Sequence, residues 1–303
     1  MTRIESVTAD ECERALAYVL APDNGDSPAA RTHVQAFLKY MNACNLDWSA
    51  WRGGRRKHET AWLFVLYLPG NTAIAMFSPP TMATIHPRDQ LEIVRAGLRS
   101  IAERKLYYTQ ALVAPEAREK REILHDAGFK HLTQLLYLQR GVSTPKSSSS
   151  QYGDAVWRSY SARTHAAFAQ ILLDTYQDSA DCPELSDLRP IDAVIASHKA
   201  SGLFDPDLWE IIEIDGEAAG CLLLSPHTQG ALMEIVYLGT ARRWRRRGVG
   251  GLLIRRSLES GRSIKMREVT AVVDIRNTPA RQLYTRFGFK PTTARDAYIH
   301  IDD

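Results

Sequence analysis

The chain has 303 residues, of which 45% are hydrophobic and 24% are charged, and its formal net charge is +3. This length favours two domains, and the composition supports packed cores and excludes disorder of the whole chain. The small net charge argues against a nucleic-acid partner. The four cysteines, Cys12, Cys44, Cys182 and Cys221, lie far apart, which argues against a zinc site or a disulfide framework.

The distribution of apolar residues excludes a membrane protein. No apolar run approaches the roughly 20 residues of a membrane-spanning helix, and the segment from Met1 to Ser6 lacks the apolar stretch of a secretory signal. We therefore expect a cytoplasmic protein without a membrane partner, whose cysteines are reduced thiols.

The predicted elements of the first half follow the order strand, helices, strands, helix, strand, helix, strand. A β-hairpin is predicted where the apolar runs 61–68 and 72–77 flank Pro69-Gly-Asn71. Apolar spacing and turn residues then predict a helix over 91–105, a strand over 107–113, a helix over 115–127 that is closed by Gly128, and a strand over 132–138.

The segment 142–154 consists mainly of small and polar residues and predicts a linker, so that domains are expected over 1–141 and 155–303. The plan of elements repeats after the linker. The predicted elements are strand 156–160, helices 165–176 and 191–198, a hairpin of 208–214 and 218–224 around Asp215-Gly216, strand 232–238, helix 250–260, strand 269–273, helix 279–287 and a strand near 298–301.

Two glycine-phenylalanine pairs indicate an internal duplication. Gly128-Phe129 and Gly288-Phe289 each end a predicted helix and enter a predicted strand, at an offset of 160 residues (288 − 128). The same offset places Arg88 opposite Gly248, again before an equivalent helix. A shared offset at both landmarks favours a repeat of one structural unit.

The segment from Leu238 to Gly251 joins a strand to a glycine-containing helix start and carries Arg242-Arg-Trp-Arg-Arg-Arg247. Glycines let backbone amides approach an anion closely, and a helix N-terminus adds partial positive charge, so the turn suits a pyrophosphate. The same run also fits a nucleic-acid patch with an interleaved aromatic ring. The low net charge favours the phosphate-binding alternative.

A second segment makes the pattern specific. Residues 245–250 have the pattern Arg-x-x-Gly-x-Gly, and residues 277–289, after an apolar strand, have the pattern Asn-x-x-Ala-x-x-Leu-Tyr-x-x-x-Gly-Phe. In this order the segments resemble the GNAT superfamily of N-acetyltransferases over residues 156–303, and the whole chain resembles the tandem type to which mycothiol synthase belongs. The resemblance implies an α/β fold of the α+β kind, with two acyl-CoA N-acyltransferase-like domains, each a mixed, mostly antiparallel sheet flanked by helices.

The resemblance also implies acetyl-CoA as co-substrate, without a metal. The turn would hold the coenzyme pyrophosphate through backbone amides, with arginines beside the phosphates. Residues 238–240 would pair with the pantetheine arm and offer a backbone N–H to the acetyl oxygen. The implied coenzyme contacts are Leu238, Gly239, Thr240, Arg245, Arg246, Arg247, Gly248, Val249, Gly250, Gly251 and Asn277.

Two side chains are the candidate catalytic groups. Tyr284 would lie near the sulfur and protonate the departing thiolate, although a tyrosine on an amphipathic helix also fits a core position. Glu234 is the candidate base for the acceptor ammonium, directly or through water, and fits equally a solvent-facing strand residue. The expected reaction is direct attack of a primary amine, on a small molecule or a protein, on the thioester. A non-enzymatic acyl-CoA sensor or interaction protein is the alternative.

The segment 174–185 lies where this superfamily usually builds its acceptor site. Its acids would attract a cationic amine, or, in the simpler alternative, they would cap a helix and face solvent. Cys182 and His198 suggest a thiol-imidazole pair. The lack of a third partner argues against such a pair. The four acids are Asp174, Asp178, Asp181 and Glu184.

The first half departs from the family pattern at the positions that carry its chemistry. Arg88-Asp-Gln90 stands for the glycine turn, Leu124 stands for the tyrosine (284 − 160), and Ala117 stands for the asparagine. Bulky side chains and an acid would replace the backbone cradle. The first domain is therefore predicted to be a degenerate, inactive copy, and the second to be catalytic.

Overall fold

The computed structural model describes residues 3–20, 27–54, 61–78, 87–143, 152–227 and 229–302. The chain forms two compact units, residues 1–132 with 295–303, and residues 133–294. Most of the predicted linker, residues 144–151, lies outside the described residues. Within the described residues, every helix is too short or too polar to span a lipid bilayer.

The described residues of the first unit form a mixed sheet with four α-helices. Its strands follow the order β1-β2-β3-β4-β5-β12, in which β4 and β5 are parallel and the other neighbours are antiparallel. The elements are β1 (Arg3–Ser6), α1 (Cys12–Leu20), α2 (Pro28–Ala43), β2 (Trp48–Gly54), β3 (Ala61–Leu68), β4 (Thr72–Phe77), α3 (Pro87–Ile101), β5 (Tyr108–Val113), α4 (Arg118–Asp126) and the end of β12 (Lys290–His300).

Both faces of this sheet are covered. The first seven residues of β3 are all buried, as expected for a strand with helices on either side. Leu63 belongs to a cluster with Ile93 of α3 and Leu124 of α4, whereas Phe64, its neighbour on the opposite face, packs with Leu16 of α1.

The second unit repeats this architecture. Its strands follow the order β6-β11-β10-β9-β8-β7, in which β10 and β11 are parallel and the other neighbours are antiparallel. The elements are β6 (Lys130–Gly141, from residue 133), β7 (Val156–Ser159), α5 (His165–Tyr176), α6 (Ile191–Lys199), β8 (Trp209–Ile214), β9 (Glu217–His227), β10 (Leu232–Thr240), α7 (Val249–Ser263), β11 (Glu268–Asp274), α8 (Thr278–Arg286) and the start of β12.

The core of the second unit lies between its sheet and helices α5 and α7. Residues 221–224 of β9 are fully buried, which requires apolar neighbours on both faces of the strand. Phe168 and Leu172 of α5 and Leu253 of α7 belong to the same apolar cluster. This packing holds the carboxyl ends of β10 and β11 and the start of α7 in place.

The predicted duplication is visible in the element positions. Four elements of the second unit begin 160 residues after their counterparts: β10 after β4 (232 − 72), β11 after β5 (268 − 108), α8 after α4 (278 − 118) and β12 after β6 (290 − 130). The final strands are exchanged. Residues 135–141 of β6 pair with β11, whereas residues 296–300 of β12 pair with β5.

Candidate functional site

The neighbouring strands β10 and β11 diverge halfway along their length. Their parallel register runs from Leu232 opposite Glu268 to Ile235 opposite Ala271 and ends there. A bulge follows, because the register of β10 with β9 shifts between Ile235 and Tyr237 before pairing continues to Thr240. The splay, the gap between residues 236–240 and the end of β11, therefore offers backbone of β10 to an extended ligand.

The turn after β10 presents the start of a helix. Gly248, the N-cap of α7, has a φ of 85°, in the left-handed region that favours glycine. Helix α7 begins at Val249, and the amides of Val249 and Gly250 have no carbonyl partner one turn earlier within the helix, whereas the amide of Gly251 donates to the carbonyl of Gly248 (3.0 Å). A side chain at Gly250 would bring its Cβ to 2.9 Å from Leu283 Cδ2 on α8. The turn thus combines open amides with close backbone packing, which suits an anion.

The arginines of the turn have different surroundings. Arg245 donates to the carbonyl of Thr175 (2.9 Å), to that of Gln177 (2.6 Å) and to that of Asp178 (3.0 Å), so its guanidinium caps the end of α5. Arg246 and Arg247 are exposed. The Arg247 guanidinium lies 5.5 Å from the ring centre of Trp244. Only the structure reveals the capping contacts of Arg245, because they join residues about 70 positions apart.

Helix α8 carries the predicted tyrosine and asparagine. Asn277 caps the helix, since its Oδ1 accepts a hydrogen bond from the amide of Ala280 (3.2 Å). Tyr284 is buried, with 6% of its surface exposed, and its ring lies 5.1 Å from that of Phe289 in an edge-on arrangement. Burial, and then the charge of Asp181, raise the pKa of the Tyr284 phenol well above its usual value. The phenol is therefore protonated at neutral pH.

The predicted base, Glu234, lies on β10 before the splay. Its Oε2 is 2.7 Å from Nε2 of His227 on the adjacent strand β9. The hydrogen bond with Glu234 raises the pKa of His227 despite partial burial. The carboxylate is partly accessible, with 28% of its side chain exposed. His227 was not predicted from the sequence, because its contact with Glu234 depends on the register of β9 with β10, in which Ser225, two residues before His227, lies opposite Glu234.

A hydrogen-bonded cluster ties the loop between α5 and α6 to the end of β11. Asp274 is fully buried, and its carboxylate accepts from Thr133 Oγ1 (2.7 Å), from the amide of Cys182 (3.1 Å) and from Arg276 (2.7 Å). Arg276 also forms a two-point contact with Glu184 (2.6 and 2.9 Å). None of these partners was predicted, because the sequence does not show which acid meets which cation.

Cys182 and His198 have separate environments. Burial raises the pKa of the Cys182 thiol, which disfavours the thiolate, and burial lowers the pKa of His198 to about 4. The His198 ring is 3.3 Å from the hydroxyl of Tyr176. These shifts oppose a thiol-imidazole pair. The described residues hold no group of three or more His, Cys, Asp or Glu side chains arranged for a metal ion.

The equivalent helix start of the first unit, the first turn of α3, buries its own polar side chains. Asp89 and Gln90 are buried in the first turn of α3, with 1% and 0% of their surfaces exposed, and Gln90 Nε2 donates to the carbonyl of Ser78 (2.6 Å). Leu124 is fully buried where the second unit has its tyrosine. Ala117, at the N-cap of α4, makes no side-chain capping bond. The helix start in the first unit therefore lacks the open glycine cradle of the second.

Residues 167–289 match the model of the Acetyltransferase (GNAT) family. This stretch, 123 of the 303 residues, is similar to GNAT acetyltransferases. The matched range contains the splay, the glycine turn and α8, so the match covers the site described above. Its fold supports acyl transfer from acyl-CoA to an amine acceptor. No curated protein matches the chain at a significant level.

Solved structures with the same fold include a tandem GNAT protein. A GCN5-related N-acetyltransferase from Sphaerobacter thermophilus has a TM-score of 0.70 and 16% identity, with 99% of this chain and 95% of that chain covered. A tandem GNAT protein from the clavulanic acid biosynthesis pathway has a TM-score of 0.57 and 12% identity, with 99% and 98% covered. A putative acetyltransferase from Pyrococcus horikoshii has a TM-score of 0.56 and 12% identity, with 100% and 90% covered. The comparison confirms a tandem α/β GNAT fold.

Proposed function

We propose that the second unit transfers the acetyl group of acetyl-CoA to a primary amine. The observation that carries this proposal is the splay of β10 and β11 beside the open start of α7, with Tyr284 buried on the adjoining helix. An extended arm fits a strand end whose backbone has lost its neighbour, and a pyrophosphate fits a helix start built on glycine. Both features lie within the residues that match the GNAT family.

The residues of the turn suit the coenzyme. The amides of Val249 and Gly250 begin a helix of 15 residues, so its partial positive charge acts on a pyrophosphate there, while the amide of Gly251 donates to the carbonyl of Gly248 (3.0 Å). Exposed Arg246 and Arg247 add positive charge. In this proposal Arg245 does not contact the phosphates. Its donors cap the end of α5, so it positions the turn instead.

The proposed chemistry is direct acyl transfer. The acceptor ammonium loses a proton to Glu234, directly or through water, and the neutral nitrogen attacks the thioester carbonyl. The carbon–nitrogen bond forms, the carbon–sulfur bond breaks, and the Tyr284 hydroxyl gives its proton to the departing thiolate. The attacking nitrogen then releases its second proton, which returns through water to the Tyr284 phenolate and restores the phenol. A backbone N–H of residues 238–240 stabilises the carbonyl oxygen. The raised pKa of Tyr284 keeps the phenol protonated at neutral pH, so its proton is present when the thiolate leaves.

The first unit is proposed to be inactive. The buried side chains of Asp89 and Gln90 occupy the helix start that would meet a pyrophosphate, and Leu124 lacks a proton to donate. A cytoplasmic location is part of the same proposal. A non-enzymatic acyl-CoA sensor is the competing function, which would keep the coenzyme site of the second unit without turnover.

Calorimetric titration of acetyl-CoA into the full chain tests the coenzyme site. We expect binding by the parent and its loss in a Gly248→Glu, Gly250→Glu double variant, because two carboxylates would enter the anion site. Gly153→Glu is the matched control, since a Cβ at Gly153 meets nothing within 4 Å and the added charge lies in the same unit. Circular dichroism verifies that each variant is folded.

The outcomes separate the two functions. Coenzyme binding with acetylation of primary amines supports the enzyme. Coenzyme binding without acetylation of any amine, and without an effect of Tyr284→Phe on any turnover, supports the sensor. A folded parent that binds no acetyl-CoA contradicts both.

A further inference from the structure

The turn that joins β10 to α7 has a strained backbone. Arg246 has a φ of 60° and Gly248 has a φ of 85°, both in the left-handed region. Glycine adopts this conformation freely, whereas an arginine adopts it only at a cost in free energy. Such a backbone persists where neighbouring groups hold it in place. The contacts around the turn therefore decide whether its amides keep the orientation that a pyrophosphate needs.

The first part of the turn is held by the side chain of Arg245. Its guanidinium donates to the carbonyl of Thr175 (2.9 Å) and to that of Gln177 (2.6 Å) at the end of α5. Its Nε donates to the carbonyl of Thr240 (3.3 Å) at the end of β10. These bonds fix the place where the turn begins, but the residues next to the helix start lie beyond them.

The last part of the turn is held by Tyr152. Its hydroxyl donates a hydrogen bond to the carbonyl oxygen of Arg247 (2.9 Å). Its ring lies edge-on to the indole of Trp244, with 6.2 Å between the ring centres. Trp244 is buried, with 6% of its surface exposed, and Tyr152 packs against the same apolar cluster. The hydroxyl therefore reaches the turn from a fixed position.

Tyr152 belongs to the segment 142–154, whose composition predicts a linker. It lies 95 positions before Arg247 in the chain. Its own carbonyl accepts a hydrogen bond from the amide of Ala155 (3.3 Å), which closes a turn that leads into β7. The end of the predicted linker is therefore an ordered part of the second unit, in contact with the candidate site.

The hydrogen bond from Tyr152 sets the direction of the Gly248 amide. In a trans peptide bond, the carbonyl of one residue and the N–H of the next point in opposite directions. Because Tyr152 holds the carbonyl of Arg247, the N–H of Gly248 points away from the tyrosine. Within the described part of the chain, this N–H has no backbone acceptor. The bond at the carbonyl also polarises the peptide group, which makes the N–H a stronger donor.

We infer that Tyr152 is a positioning residue of the coenzyme site, which orients the amide of Gly248 towards the pyrophosphate. This inference rests on the proposed acetyl transfer, and specifically on its coenzyme site. Tyr152 lies outside residues 167–289, which match the family model, so the match does not include it. The consequence is selective. The diphosphate end of the coenzyme depends on the tyrosine hydroxyl, whereas the pantetheine arm, which lies along β10, does not.

Tyr152→Phe tests this role, because it removes the hydroxyl and keeps the ring against Trp244. Tyr160→Phe is the matched control in the same unit, since that hydroxyl is 2.8 Å from Nδ1 of His165 and 2.8 Å from Nζ of Lys199 and does not touch the turn. The ligands are acetyl-CoA and two of its parts: ADP, which carries the diphosphate, and S-acetylpantetheine, which carries the thioester arm without phosphate. Calorimetry measures the Kd of acetyl-CoA, and competition with acetyl-CoA measures the Kd of each part.

We expect Tyr152→Phe to raise the Kd of acetyl-CoA and of ADP by about 5- to 10-fold, the usual effect of one lost hydrogen bond. The Kd of S-acetylpantetheine should change less than about twofold, as should every Kd of Tyr160→Phe.

Three results would overturn the inference. Equal acetyl-CoA affinity of the parent and Tyr152→Phe removes the role of the hydroxyl and leaves the coenzyme site intact. An equal loss of affinity for ADP and S-acetylpantetheine shows general loosening of the unit instead of an oriented amide. A folded parent that binds neither acetyl-CoA nor ADP removes the coenzyme site itself, and the inference with it. Circular dichroism verifies that each protein is folded.

Discussion

Asp274→Asn is expected to destabilise the second unit in a manner that depends on pH. Burial by itself would raise the pKa of this carboxyl, but hydrogen bonds from Arg276, Thr133 and the amide of Cys182 outweigh burial and lower the pKa from 3.8 to about 2. The carboxylate is fully buried, so these bonds are shielded from solvent. Their loss should therefore be measurable in the free energy of unfolding.

The size of the effect follows from the lowered pKa. A pKa that falls from 3.8 to about 2 on folding corresponds to about 2 kcal/mol of stabilisation. Because the folded pKa is depressed, this contribution is fully present above the unfolded pKa and is lost as the pH falls through the folded pKa. We expect Asp274→Asn to lower the free energy of unfolding by about 2 kcal/mol at pH 7, with the difference from the parent shrinking between about pH 4 and pH 2.

Urea unfolding followed by circular dichroism at pH 7 and at pH 2.5 measures both quantities. Glu184→Gln is the control, because Glu184 contacts the same arginine but has 46% of its side chain exposed, so its loss should cost less than about 0.5 kcal/mol. A difference between Asp274→Asn and the parent that is as large at pH 2.5 as at pH 7 would refute the reasoning, since a shape defect rather than the lost charge would then explain it.

Three further variants test other parts of the second unit. Tyr284→Phe should lower amine acetylation by about 100-fold or more while acetyl-CoA affinity stays the same, as calorimetry and steady-state rates would show. Arg256→Ala leaves the carboxylate of Glu210 (5% exposed) without its two-point partner and should cost about 2 kcal/mol in urea unfolding. Gly239→Ala places a Cβ 2.7 Å from Thr175 Cβ and should lower the melting temperature, whereas Gly153→Ala should not.

The elements that could be predicted from sequence are those with strong apolar patterns. Helix α5 spans 165–176 and strand β4 spans 72–77, as their patterns indicate, because the apolar spacing continues to the ends of both elements. Helix α3 was predicted over 91–105 but spans 87–101. Its first turn buries the polar residues Asp89 and Gln90. An apolar pattern does not include polar residues, so it does not reach the start of this helix.

The candidate site likewise has one part that the sequence predicts and another part that it does not. The glycine turn and α8 could be located from sequence, because their backbone geometry depends on residues that are neighbours in the chain. The partners of Arg245, Glu234 and Asp274 could not, since each meets a side chain or carbonyl from a different element. Residue type shows that a charge needs a partner, but the fold decides which partner is within reach.

The exchange of the last strands shows why domain limits are harder to predict than elements. Strand β6 follows α4 along the chain, yet its residues 135–141 pair with β11, and an alternating pattern specifies which face of a strand is buried but not which strand lies beside it. A division of the chain at residues 142–154 would separate β6 from β11. Strand β11, in which Val269, Ala271 and Val273 are buried, would then have no hydrogen-bonded neighbour along one edge. The second unit therefore needs a strand that precedes the linker in sequence to complete the sheet that carries the candidate site.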